Sequence, residues 1–449
     1  MNRSFYLRLL LIASLTPAWL QAAGIHAELP QGQGAQPGPG KAHAAGQDPF
    51  QPLVSREESE WLNQAVERSQ EDLSAARMQL QEQNSPEASP ALDFAIGNFL
   101  FQEDRLPDAA KAYEQALKKM PHFRAAAMNL GRVYLLLDQP AKTVAVYQNL
   151  VRDGQADANI LVLLGHAMLL LDEPVGAETA YRQAILLRPR DPEVRLGLAK
   201  ALLSQERFKE GLALIRELQQ LEPLSRELWQ LRANALLTSD RLDEAIHVIE
   251  QARRLGRASA EQLATLGDLW LTKTRPVDAL AAYQEAFAKE EASLDRVLRA
   301  LEGFIMVADA QGAKEMMQEA EQRLKREPDP ERALRLLRLR ARHALQEERE
   351  EEAMNLAKQI LEQDPLDAPM LLLLAELLAA KGNSAEALLQ SERAARISGF
   401  EAQALILQAR IEVGRGNYAR AVPLLESAQV FDPQDPVARY LEQVRRLAE

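Results

Sequence analysis

A fixed step of 34 residues runs through most of this chain. With Pro90 as position 1, Gly97, Ala109, Tyr113, Ala116 and Pro121 stand at positions 8, 20, 24, 27 and 32. One step on, Gly131, Tyr134 and Tyr147 take positions 8, 11 and 24, and the next step gives Gly165, Ala177, Tyr181, Ala184 and Pro189. The phase continues through Pro223, Trp229 and Ala245, then through Gly267, Ala279, Tyr283 and Ala286. A weaker unit begins near Leu294, with Ala313 and Ala320 in place. Such a period restricts the fold, because a short repeating unit cannot bury its apolar face alone and must stack on its neighbours.

The unit itself reads as a pair of helices. Ala and Leu recur beside many Glu, Arg and Gln, aromatic residues are only 5% of the chain, and no β-branched runs appear at strand spacing. Straight-chain residues lose little rotamer freedom in a helix and Ala loses none. Small residues at positions 8, 20 and 27 let the two helices of a hairpin approach closely. The aromatic at 24 fills the gap between one hairpin and the next, and Pro at 32 stops the second helix.

These residues at this spacing resemble the tetratricopeptide repeat, over roughly residues 90–435. The resemblance implies an all-α, right-handed superhelical solenoid of about ten hairpins with a long concave groove lined by the first helix of each. Seven repeats are expected over 90–327, then a break in register of about six residues at 328–333, read either as a bend or as a longer loop. Three more repeats follow over 334–435, carrying Ala353, Pro365, Ala387, Ala421, Ala428 and Pro433. Repeats four, five, seven and eight depart from the pattern, with Gly211 in place of Ala and no aromatic at position 24. Residues 436–449 are expected to form a charged capping helix with Tyr440, Leu441 and Val444 turned inward, since a solenoid's last repeat otherwise leaves its apolar face wet.

Ahead of the repeats, Arg3 and Arg8 precede an apolar run from Leu9 to Leu20, followed by Ala22 and Ala23. That order predicts a signal peptide over 1–23 and an exported, periplasmic protein. An uncleaved anchor is the alternative, although the run is short for a spanning helix and Pro17 interrupts it. No later apolar run escapes interruption by charge, so no integral membrane segment is expected in the mature chain. The chain has no cysteine, which excludes disulfides, thiolate catalysis and lipid attachment at a mature N-terminal Cys. Residues 24–54, with the stretch GQGAQPGPGKAHAAGQ, read as a flexible linker. Ser55 and Glu58 form a capping-box pattern for a single helix over 55–83, which packs on the first repeat or pairs with a second copy.

No catalytic constellation stands out. The six histidines, His26, His43, His122, His166, His247 and His343, never fall two to a helical turn, and no HExxH, phosphate loop or nucleophile elbow is present. Neither an enzyme nor a cofactor or metal is expected. A formal net charge of −12 argues against general nucleic-acid binding.

In the family, ligands lie in the concave groove at positions 2, 5, 6, 9, 12 and 13 of the first helix. Carried onto this chain, those positions give Phe94, Asn98 and Phe101, then Met128, Asn129, Arg132 and Leu135, then Asn159, Leu163 and His166. Asn98 and Asn129 match the asparagines of the carboxylate-clamp subfamily, but the basic clamp positions hold Phe94, Asn159 and Leu163, so a clamp is not expected. The two asparagines are left with either a peptide-backbone role or a packing role. In ERALRLLRLRAR, Arg335, Arg338 and Arg342 form one stripe at positions 2, 5 and 9, a candidate site for an anion or acidic peptide unless neighbouring carboxylates neutralise it. The function expected from these features is a scaffold or adaptor for envelope proteins, in exopolysaccharide export, envelope assembly or envelope proteolysis. The alternative is a module that binds an anionic polysaccharide directly through the arginine stripe.

Overall fold

The computed structural model describes residues 50–289 and 293–449, and within them the chain forms 23 α-helices and no strand. The expected signal peptide and nearly all of the expected linker lie outside the described residues. Among the described residues no helix is long and apolar enough to cross a membrane. The chain divides into two compact units, one ending at Arg241 and one beginning at Leu242.

In the first unit, helices Pro90–Gln102 and Leu106–Lys119 form the first repeat, and Arg124–Leu136 with Pro140–Arg152 the second. Ala158–Leu170 with Pro174–Leu187 form the third, and Pro192–Ser204 with Phe208–Leu221 the fourth. Arg226–Thr238 closes this unit. The second unit opens on Leu242–Arg254 and continues through the pairs Ala260–Thr272 and Pro276–Lys289, then Leu294–Met306 and Ala310–Arg326. Pro330–Gln346 with Glu350–Gln363, Ala368–Ala380 with Ser384–Ala394, and Glu401–Gly414 with Tyr418–Phe431 follow. Asp435–Ala448 packs on the last of these, burying Val437, Leu441 and Val444.

Local chemistry sets the helix ends. Proline at the first position, as in Pro90, Pro140, Pro174, Pro192, Pro276 and Pro330, supplies the helical φ and lacks an N–H that would be orphaned there anyway. Aspartate caps Asp157, Asp191 and Asp367 accept from backbone N–H groups of the first turn. Between the helices of a hairpin, position 15 takes positive φ every time: Asp104, Asp138, Asp172, Glu206, Asp240, Thr274, Ala308, Glu348, Gly382 and Gly416. Ten occurrences at one repeat position define the turn, and only the last two use the residue for which that conformation carries no Cβ penalty.

The tyrosines at position 24 lock each hairpin. The Tyr113 ring lies over Gly97, Tyr147 over Gly131, Tyr181 over Gly165 and Tyr283 over Gly267. A Cβ on Gly131 would stand 2.2 Å from the Tyr147 ring. Tyr181 also abuts Gly197 of the following repeat, so the ring seals both its own hairpin and the next junction. Tyr113, Tyr147 and Tyr283 are fully buried, each contributing roughly 2–3 kcal/mol of apolar burial.

Two expectations need correction. The single helix over 55–83 is a hairpin, Arg56–Ser69 and Leu73–Gln83, because Asp72 turns the chain and caps the second helix through Ala75 N–H. Both helices pack on Pro90–Gln102, whose residues from Ala91 to Leu100 are all buried. The extra residues near 328–333 are not a longer loop. They lengthen Ala310–Arg326 and Pro330–Gln346 to 17 residues each, and Asp329 caps the second of these at once. Pro330–Gln346 still packs on Leu294–Met306, so the stacking of first helices continues across the insertion.

Ala308→Gly is expected to raise stability, because relief of about 1–2 kcal/mol of left-handed strain outweighs roughly 0.4–1 kcal/mol of added unfolded-state freedom. Urea denaturation of the full chain measures this, and a lowered midpoint contradicts it. By the same assay Gly131→Ala should destabilise by about 1–3 kcal/mol through overpacking on Tyr147. Gly414→Ala, which meets nothing within 4 Å, should be neutral or mildly stabilising.

Candidate partner-binding face

Repeat three shows how the face arises. In Ala158–Leu170 the buried residues are Ala158, Ile160, Leu161, Leu164, Gly165, Ala167 and Met168. The half-buried and exposed ones, including Asn159, Leu163, His166 and Leu170, fall at helical spacing on one stripe. This helix touches Arg124–Leu136 on one side and Pro192–Ser204 on the other. The stripes of successive first helices therefore lie side by side within the first unit.

The candidate residues of the first unit divide sharply. Asn98 is fully buried, its Oδ1 accepting from the Tyr113 hydroxyl at 2.7 Å and from Asn129 Nδ2 at 2.9 Å. Phe94, 2% exposed, packs its ring against Tyr113 and Phe123. Of the expected groove positions of repeat one, Phe94 and Asn98 are thus interior and Phe101 is half-buried, and Asn98 and Asn129 are bonded to each other in the core. Burial drives the Tyr113 phenol far above its ordinary pKa, with Asn129 and the Arg132 charge opposing, so the hydroxyl stays protonated as a donor to Asn98.

Arg132 is half-buried beside the Tyr113 and Tyr147 phenols, whose ionisation its charge favours. Asn159 is exposed, and His166 and Leu163 are half-buried. Stepping 34 residues from Arg132 gives His166, and a second step gives Lys200, half-buried and bonded to Glu227 Oε1 at 2.7 Å. Lys200 was not among the residues singled out from the sequence, although the repeat step alone finds it.

The second unit places its three arginines differently from a free cationic stripe. Arg335 donates to Glu302 at 3.2 Å and stands 3.9 Å from Asp295. Arg338 donates through Nε to Asp367 at 2.5 Å and through Nη2 to Asp364 at 2.8 Å. The partners of Arg335 come from the repeat before, and those of Arg338 from the turn that leads into the next repeat, not from Glu331, Glu347 or Glu348. Hydrogen bonds from Arg332, and then the charges of Arg332, Arg335 and Arg299, hold the Asp295 carboxyl below its usual range. Arg342 alone is exposed and makes no ion pair among the described residues. Asp268, which accepts from Tyr283 and Arg296 at 2.5 Å each, extends the same pattern to repeats six and seven. Two of the three arginines thus tie neighbouring repeats together. Among the described residues no group of three or more His, Asp or Glu is arranged to hold a metal ion.

Arg338→Ala leaves the Asp367 side chain, 4% exposed, without its cation and is expected to cost about 1.5–3 kcal/mol. Arg342→Ala should change stability by no more than about 0.5 kcal/mol. Denaturant midpoints of the two variants check this, and equal effects would contradict the assignment.

Comparison with curated proteins finds no match. Solved structures similar to this chain include YrrB, described as a tetratricopeptide repeat protein with an unusual peptide-binding site, at 18% identity and a TM-score of 0.36, covering 41% of this chain and 92% of that one. A tetratricopeptide repeat protein from Parabacteroides merdae matches at 17% identity and a TM-score of 0.40, covering 58% of this chain and 99% of that one. The pilF protein of Pseudomonas aeruginosa matches at 18% identity and a TM-score of 0.36, covering 49% and 96%. Two family models, each described as tetratricopeptide repeat, match residues 100–167 and 168–235, and residues 231–293 and 338–402. With more than half of its length matched in this way and hairpins in tandem along both units, the chain belongs to the tetratricopeptide repeat family.

Proposed function

We propose that this protein is an exported scaffold that binds other proteins on the first-helix face of its repeats and serves a process of the cell envelope. The repeats make it a protein-interaction scaffold. The observation that carries the choice of surface is the unburied stripe crossing consecutive helices of the first unit, with Met128, Leu163 and Leu196 half-buried between polar positions. Apolar side chains flanked by hydrogen-bonding groups suit an extended peptide or a helix from a partner. Export rests on the residue order at the N-terminus, Arg3 and Arg8 before Leu9–Leu20 and then Ala22 and Ala23. Assembly of envelope structures, exopolysaccharide export and envelope proteolysis are the processes this reading covers. It acts by holding its partners, and no residue is assigned a catalytic role. Direct binding of an anionic polysaccharide by the arginine stripe is the weaker reading, since Arg335 and Arg338 are already held by carboxylates.

Two measurements test the proposal. The mature protein should be recovered from the periplasmic fraction with a new N-terminus close to Gly24, whereas a cytosolic chain retaining Met1 refutes export. A photo-crosslinking residue at Met128 or Leu196 should capture the same protein partner in cells, and one at Gln148, on the exposed side of a second helix, should not. Equal capture from all three positions would contradict the assigned face.

A further inference from the structure

Position 11 of the first helix lies against the start of the second helix of its own repeat. Lys142 Nζ, at position 19, stands 5.0 Å from the centre of the Tyr134 ring, and the Arg275 guanidinium, at position 16, stands 4.2 Å from that of Trp270. A Cβ on Gly312, also at position 19, would come within 2.2 Å of the Phe304 ring. The bulk at position 11 is balanced by that at position 23. Where position 23 is Ala180 or Ala282, position 11 is Met168 or Trp270; where position 11 is Leu202 or Leu236, position 23 is Leu214 or Val248. Among the first seven repeats, repeat one breaks this rule by setting Leu100 with Ala112. A pocket of about 270 Å³ stands there, lined by buried Ile96 and Leu100, half-buried Ala112 and Asp108, and exposed Arg105 and Lys111. A cavity of about 150 Å³ holds benzene, so this one has room for an aromatic side chain. It is distinct from the unburied first-helix stripe assigned to partners.

Among the described residues one aromatic side chain is exposed: Phe431, 60% exposed, at the end of Tyr418–Phe431. Val430 beside it is 82% exposed, and Asp432 follows, exposed and without an ion pair among the described residues. Residues 24–49 contain no Phe, Trp or Tyr, so the linker has no ring to offer the pocket. From this complementarity we infer that the chain associates with itself, Phe431 of one copy seated in the Leu100–Ala112 pocket of another. The charges agree. Arg105 and Lys111 share Asp108, at 2.6 and 3.4 Å, while Glu103 is held by Arg77 at 3.0 Å and stands 3.6 Å from Arg105. Three cations thus meet two carboxylates, and Asp432 of the incoming copy supplies the third, beside a Lys111 side chain that is 74% exposed. Arg105 holds position 16, as Arg275 does, so its guanidinium over the Phe431 ring repeats the stacking on Trp270. An aromatic anchor in a pocket with a charged rim is a common form of binding hot spot. Ring and pocket are different surfaces of one chain, so the contact is heterologous and passes from copy to copy, into a ring or a filament. One anchor of this size makes the association weak and concentration-dependent. The inference is independent of the scaffold reading.

Sedimentation of the full chain between about 5 and about 500 µM, the range of weak association, tests the inference. The average mass should rise with concentration. Phe431→Ala should weaken association at least about tenfold, and Lys111→Glu about threefold at low salt. Ala112→Leu copies the Leu202–Leu214 pair of repeat four, fills the pocket and should hold the chain at monomer mass. An equimolar mixture of Ala112→Leu and Phe431→Ala should form dimers and nothing larger, because the first keeps the ring and the second keeps the pocket. Phe431 is exposed, so its variant keeps the fold and decides alone if Ala112→Leu fails to fold. A mass that stays monomeric at every concentration, association unchanged by Phe431→Ala, or a mixture of folded variants that stays monomeric overturns the inference. In cells, a photo-crosslinking residue at Gln115, which also lines the pocket, should capture a second copy of the chain. Capture of a different protein there, and of no second copy, overturns the choice of occupant, while capture from Met128 and Leu196 continues to report on the first-helix face by itself.

Discussion

The contact on which everything else rests is a tyrosine ring laid on a glycine. In Gly97–Tyr113, Gly131–Tyr147, Gly165–Tyr181 and Gly267–Tyr283 the ring occupies the space a side chain would fill. Removing one Cβ lets two helices close on a flat aromatic surface, and the far side of the ring remains available to the next repeat, as Tyr181 shows against Gly197. Each hairpin is thereby completed by its neighbour, which is why the fold must be an array. A cost appears at the turn, where eight of ten positive-φ residues are not glycine. Side-chain and stacking contacts of the neighbouring helices offset that strain.

Electrostatics add a second layer of inter-repeat bonding in the later repeats. Asp268 with Arg296, Asp295 with Arg332, Glu302 with Arg335 and Asp367 with Arg338 each join one repeat to the next. Three of these pairs lie where the seventh and eighth repeats lack an aromatic at position 24, while Asp268–Arg296 stands beside the Tyr283 lock. In repeats two and three Tyr147 and Tyr181 supply the closure, and in repeat four Lys200 pairs with Glu227 of the next repeat.

The period was legible because glycine, alanine, tyrosine and proline answer to sterics that act at fixed spacing. The ends were less so. Gln70, Glu71 and Asp72 carry neither Gly nor Pro, so the turn that splits the N-terminal segment shows only as the capping aspartate. Local sequence could not reveal that Asn98 is interior, because its burial depends on Tyr113 and Asn129, 15 and 31 residues away. The arginine stripe misled for a related reason: the carboxylates that hold Arg335 and Arg338 lie 26 to 33 residues off, roughly one repeat step. Pairing residues across the 34-residue step, not within one helical turn, would have found them.

Placing the working surface on the first helices is the central claim, and hydrogen–deuterium exchange of the full chain, free and bound to the protein captured from Met128 or Leu196, addresses it most directly. Binding should slow exchange in Arg124–Leu136, Ala158–Leu170 and Pro192–Ser204 and leave Pro140–Arg152 and Pro174–Leu187 unchanged. Protection concentrated in those second helices, or spread evenly over both, would contradict the account.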